Sequence, residues 1–154
     1  MTVRRTSAGT APSTSRDCCV PSLRVLVHAG ALIALLNRND AHHVQVSDFF
    51  ADYFGHAYST WPVLTEAAHL VPEHLSVSVL RLLERGRLQI VEITPGASRM
   101  IELMERYADH PMDLADASLV WAAEQTGILE IVTIDRADFQ AYRTKSGKTF
   151  DILP

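Results

Sequence analysis

Residues 113–135 read DLADASLVWAAEQTGILEIVTID, and this stretch decides the fold. Asp113 carries the short acceptor side chain of a helix N-cap. The helix it opens is apolar nearly all round, through Leu114, Leu119, Val120, Trp121, Ala122 and Ala123, and runs to about Thr126. Gly127 is the residue type that ends a helix in a left-handed turn. Ile128 to Ile134 follows as a strongly apolar run of strand length. A helix and a strand that both need burial on most sides belong to a layered α/β fold with a parallel sheet.

The same alternation extends through the rest of the chain. Leu23 to Val27 reads as a buried strand, Ala31 to Leu36 as a helix, and Asn37-Arg38-Asn39-Asp40 as a stop. Helical spacing resumes from about His42 to Phe54, with Val46, Phe49, Phe50 and Tyr53 on one side. A short strand near Ala57–Ser59 precedes a helix opened by Thr60 as N-cap, with Pro62 in its first turn. Pro72 ends that helix, and Glu73 to Arg85 has the spacing of another. Leu88 to Ile93 reads as a strand, about Ala97 to Ala108 as a helix, Arg136 to Tyr142 as a short helix or turn, and Phe150 to Leu153 as an edge strand. The expectation is a central parallel sheet flanked by helices, formed by one domain over residues 22–154. Residues 1–21, rich in Ser, Thr, Ala and Arg, read as a disordered lead.

Composition narrows the function classes. Of 154 residues, 47% are hydrophobic, enough for a layered core without disulfides. The net charge of -4 is not that of a strongly basic nucleic-acid binder, although bound divalent cations would offset part of it. Cys18 and Cys19 are adjacent, which is not a metal-ligand spacing, and free thiols fit a reducing cytoplasm. No apolar run approaches membrane-spanning length, and no apolar segment follows Arg4 and Arg5 to make a signal peptide.

The chemistry lies in acids placed among apolar residues. In parallel α/β sheets, ligands bind beyond the carboxyl ends of the strands. Asp135 falls at such an end, and His28 falls at the end of the first strand. Asp116 lies in the first turn of the apolar helix, and Glu66 one turn into a similar one. An ionised carboxylate in apolar surroundings is costly unless it is paired or binds a metal, so these positions suggest a hard-cation site. Asp113 and Asp116 also have the spacing of a capping box, and Asp138 is placed to cap the last short helix. Thr133 is placed to orient a carboxylate or a water. Arg136, Arg143, Lys145 and Lys148 are the nearest cations in sequence for contacts to phosphate.

Four ordered stretches resemble the PIN-domain ribonucleases, specifically the VapC toxins of prokaryotic toxin–antitoxin pairs. They are Val27-His28-Ala29-Gly30-Ala31-Leu32, Thr60-Trp61-Pro62-Val63-Leu64-Thr65-Glu66-Ala67, Met112-Asp113-Leu114-Ala115-Asp116-Ala117-Ser118-Leu119 and Thr133-Ile134-Asp135-Arg136-Ala137-Asp138-Phe139. The resemblance covers about Leu23 to the C-terminus. It implies a PIN-like three-layer fold and a metal-dependent endoribonuclease binding Mg²⁺ or Mn²⁺. It places an acidic quartet at position 28, Glu66, Asp116 and Asp135, with Asp113 and Asp138 in support. It also implies an RNA substrate, a small antitoxin as partner, a homodimer and a cytoplasmic setting.

His28 departs from that pattern, which has Asp at this position. Losing one charge removes an interaction of up to about 4 kcal/mol near 4 Å before desolvation. A neutral imidazole also suits Mn²⁺ better than Mg²⁺. Three readings stay open on sequence: an impaired nuclease that still binds RNA or antitoxin, a working imidazole ligand, or a substitution introduced into the chain.

Overall fold

The computed structural model describes residues 23–110 and 112–154. The expected lead over residues 1–21, with Cys18 and Cys19, lies outside them. β1 (Arg24–Val27) occupies the middle of a five-stranded parallel sheet of order β3-β2-β1-β4-β5. On one side it pairs with β2 (His56–Ser59), which pairs with β3 (Gln89–Ile90). On the other side it pairs with β4 (Glu130–Val132), which pairs with β5 (Asp151–Leu153). Strand order reverses between β1 and β4, where the carboxyl ends of an open α/β sheet leave a crevice.

Helices link the strands: α1 (Ala29–Leu36), α2 (His43–Asp52), α3 (Trp61–Leu70), α4 (Ser76–Glu84), α5 (Ala97–Arg106), α6 (Leu114–Thr126) and α7 (Arg136–Ala141). Val25, Leu26 and Val27 of β1 are buried, as central strands covered on both faces must be. Val63 and Leu64 of α3, Leu119 and Val120 of α6, and Ile131 of β4 complete the core with them.

Most of the expected elements form, with shifted boundaries that have physical causes. The apolar run Ile128–Ile134 contributes only Glu130–Val132 to the ladder, because β1 offers only Leu26 and Val27 as partners. At the β3 edge, only Gln89–Ile90 of Leu88–Ile93 is strand, with Val91 adding one N–H to the Ser59 carbonyl at 2.9 Å. Glu92 instead accepts the backbone N–H and hydroxyl of Thr94 at 2.7 and 2.6 Å, which turns the chain. The helix expected from Glu73 begins as a 3-10 turn over Glu73–Leu75 and becomes α-helical at Ser76. Helix α1 starts at Ala29, two residues before the expected start, because the extended backbone of His28 ends β1 directly before it. Thr60 precedes α3 without capping it, since its hydroxyl pairs with that of Ser118 at 2.5 Å in the core.

Candidate active site

Four of the expected positions meet at the β1–β4 crevice. His28 continues β1 by one hydrogen bond, its N–H donating to the Val132 carbonyl at 3.1 Å. This fixes its side chain at the rim, where it is 5% exposed. The imidazole Nε2 lies 3.3 Å from Oδ1 of Asp116. Nδ1 lies 3.2 Å from Oδ2 of Asp135 and 3.1 Å from the Thr133 hydroxyl. Phe139 packs against the ring, with centroids 5.2 Å apart. The ring therefore fills the space between the two carboxylates.

Local structure places each acid. Asp113 caps α6, its Oδ1 accepting the Asp116 N–H at 2.9 Å. The reverse half of a capping box is absent, because the Asp116 carboxylate turns toward His28 and Tyr142 instead. Asp135 ends the loop after β4, and its N–H donates to the Thr133 hydroxyl at 3.0 Å. Glu66 projects from α3 toward the same rim. Its Oε2 is enclosed, and no group among the described residues hydrogen-bonds to it. An enclosed oxygen without a partner is costly, and it marks a place where the rim is electrostatically incomplete.

The electrostatics follow from burial and crowding. Burial raises the Asp116 carboxyl to about 6, with Asp113 and Asp138 adding to the rise while His28 and the Tyr142 hydrogen bond oppose it. Burial and the neighbouring Asp113 and Asp135 also raise Glu66, against the pull of His28. Asp135 goes the other way, held below the usual carboxylate range chiefly by its hydrogen bond to His28. Burial alone would lower His28. The hydrogen bond to Asp135 and the charges of Asp116, Asp135 and Glu66 outweigh it, so His28 ends above its usual 6.5. Two carboxylates that only accept face its two nitrogens, which is the arrangement of a doubly donating imidazolium.

Other expected site residues lie elsewhere or are engaged. Asp138 does not cap α7; it pairs with His110 at 2.8 Å, and Asp135 holds the cap position. Arg136 is exposed beside Asp135. Arg143 folds back on the carbonyls of Gln140 and Tyr142, at 2.6 and 2.7 Å. Lys145 and Lys148 line a cavity with Arg99, Glu124, Gly127 and Leu129. Gly127 and Leu129 precede β4, so that cavity is at the opposite rim from Asp135.

Two contributors went unread in the sequence. The buried Tyr142 donates its hydroxyl to Oδ2 of Asp116 at 3.0 Å. Gly30 allows the chain to approach closely, since a Cβ there would lie 2.6 Å from Cγ1 of Ile134 and 3.2 Å from Oδ2 of Asp135. A glycine at the second position of α1 is the available signal for the second; nothing local announces the first.

No family model matches the chain. It is 28% identical over 138 residues to Ribonuclease VapC26 of Mycobacterium tuberculosis, covering 84% of this chain and all of that protein. Its fold is similar to the crystal structure of Mycobacterium tuberculosis VapC20, described as a Sarcin-Ricin loop cleaving toxin. The TM-score is 0.71 at 16% identity, over 84% of this chain and 99% of that one. In sequence the chain resembles a VapC ribonuclease, and its fold is PIN-like. The PIN-like fold, the central parallel sheet and the flanking helices are as the sequence implied.

A VapC-like rim implies a divalent ion, and the residues present can be tested for it. The oxygens of Glu66, Asp116 and Asp135 are the hard donors that Mg²⁺ or Mn²⁺ takes. Their arrangement does not fit an ion. The His28 ring lies between Asp116 and Asp135, and among the described residues no three His, Cys, Asp or Glu side chains gather as a ligand shell.

Proposed function

We propose that this VapC-like chain is an endoribonuclease toxin that acts on RNA and is paired with a small antitoxin, its cleavage held low by His28. The observation that carries the reading is the convergence of Glu66, Asp116 and Asp135 with position 28 on the crevice of a PIN-like sheet. Similarity to a protein named a ribonuclease, and to one described as cleaving an RNA loop, supports RNA as the substrate. A homodimer belongs to the same proposal.

The chain's own residues suit an RNA strand at this rim. Asp135 is ionised at neutral pH, and its side chain is 47% exposed at the mouth. Exposed Arg136 next to it is placed for a backbone phosphate. Trp61 is exposed on the groove that Glu66 and Leu114 also line, and an indole face accepts an unstacked base. Asp116 stays back from solvent, held by Tyr142 and His28.

One observation favours a second reading. The ion pairs of His28 satisfy two of the three acids internally, as they would in a module that binds RNA or antitoxin without cutting. End-labelled single-stranded RNA incubated with the protein in Mg²⁺ and in Mn²⁺ separates the two. The enzyme reading expects slow cleavage that Asp116→Ala abolishes. Retained binding with no cleavage in either ion would leave the module reading, and loss of both would overturn RNA as the ligand.

A further inference from the structure

The disagreement between the acidic rim and the ion it resembles a seat for has a specific form. Both His28 nitrogens face carboxylate oxygens, at 3.3 Å to Asp116 and 3.2 Å to Asp135. Nδ1 also meets the Thr133 hydroxyl at 3.1 Å, and the Phe139 ring packs against the imidazole at a tilt of 58°. At 5% exposure the ring has little room to swing aside as an exposed histidine would. A divalent ion held by Asp116 and Asp135 together would have to sit where the ring atoms are.

We propose that the His28 ring occupies the place of a divalent ion between Asp116 and Asp135, so that the chain as it stands does not bind Mg²⁺ or Mn²⁺ at this rim. Replacing His28 with an oxygen donor opens the seat. The inference deepens the VapC-like reading and uses it only for the expectation of an ion. The geometry itself belongs to this chain. Glu66 agrees with it: its enclosed, unpartnered Oε2 is the acid that the imidazole does not reach. One ring meets two carboxylates and leaves the third without a partner.

The test uses Mn²⁺ as probe and ion binding as readout, without any RNA. Free Mn²⁺ is followed by electron paramagnetic resonance as the protein is added, for wild type, His28→Asp, His28→Asn and the double variant His28→Asp/Asp116→Asn. Wild type is expected to show no saturable binding. His28→Asp should bind one ion tighter by about tenfold or more, the direction set by one added negative charge. The double variant should lose that gain. His28→Asn, which frees the same space without adding charge, should bind more weakly than His28→Asp and better than wild type. It also decides the question if His28→Asp does not fold, as judged by circular dichroism.

Saturable Mn²⁺ binding by wild type within a few-fold of His28→Asp would overturn the proposal, as would no binding by any folded variant. RNA binding measured on the same samples reports separately on the ribonuclease reading. A wild type that takes the ion and cuts RNA refutes only the occupation of the seat by His28. A His28→Asp that takes the ion but neither binds nor cuts RNA refutes only the substrate.

Discussion

Helix α6 carries a buried ion pair near each of its ends, and the two are built differently. Near its C-terminal end, Glu124 receives Arg99 through Nε and Nη2 at 3.0–3.3 Å, with side chains 10% and 13% exposed. Glu124 also accepts the Lys145 N–H at 2.6 Å, and Arg99 spends its remaining arm on Glu102 at 3.2 Å. Every charged atom there has a partner, and the guanidinium fork matches the carboxylate. Near the N-terminal end, Asp116 shares one imidazole with Asp135, while Glu66 is enclosed without a partner. Arg99 serves two carboxylates there, but Glu102 is 63% exposed, so the buried charges of Arg99 and Glu124 match, and the cluster joins α5 to α6. The second has more acid than base, and its groups are pushed off their usual pKa values, as functional sites commonly are. Burial of charge is common to both; imbalance distinguishes the site.

The largest expected effect is at the balanced pair. Arg99→Met leaves Glu124 buried and unpaired, which should cost about 3 kcal/mol of stability in urea unfolding. RNA binding by the folded fraction should be unchanged. A loss of RNA binding would put that end of α6 into the site and erase the contrast.

His28→Asn comes next, at about 1–2 kcal/mol under acidic conditions, since Asp135 is half exposed and screens its share. The pH dependence has a definite sign. His28 is raised above 6.5 by folding, so its stabilisation is fully present below pH 6.5 and fades as pH rises through the folded value. Asp135 behaves oppositely: its contribution is present above pH 3.8 and is lost as pH falls through its lower folded value. Asp116, raised from 3.8 to about 6, adds a cost that grows across that interval, where it ionises in the unfolded chain before it does in the folded one. Unfolding titrations should therefore show the gap between wild type and His28→Asn closing toward alkaline pH. A constant gap would mean that the ring acts only by packing against Phe139.

Tyr142→Phe should be milder, about 1 kcal/mol. It removes the hydroxyl that favours ionised Asp116, so the Asp116 carboxyl should titrate above its wild-type value of about 6 by carbon NMR. An unmoved titration would show that the Tyr142 hydrogen bond takes no part in setting it. Gly30→Ala should have an effect of similar size. Its Cβ would lie 2.6 Å from Cγ1 of Ile134, beside the branch of a stiff side chain, and 3.2 Å from Oδ2 of Asp135, so crowding should cost about 1–2 kcal/mol, with the Asp135 signal shifting.

What sequence could reveal follows the range of the interactions. Asp113 as cap, Gly127 as stop at φ 73°, and the strand-end positions of His28 and Asp135 are local features, and all were legible. Apolar alternation was enough for the parallel α/β sheet. Strand lengths were not legible, because Ile128–Ile134 can pair only as far as β1 extends. The Tyr142 bond to Asp116 joins residues 26 apart, and the Thr60–Ser118 pair spans 58. Neither has a periodic signature. Lys145 and Arg143 looked like phosphate contacts by proximity in sequence, yet one lines the opposite rim and the other wraps its own backbone.

The most direct test of the account compares cleavage of single-stranded RNA in Mg²⁺ by wild type and His28→Asp. The account predicts a rise of about tenfold or more in the variant, lost again when Asp116→Ala is added. Equal cleavage by the two proteins, abolished in each by Asp116→Ala, would contradict it.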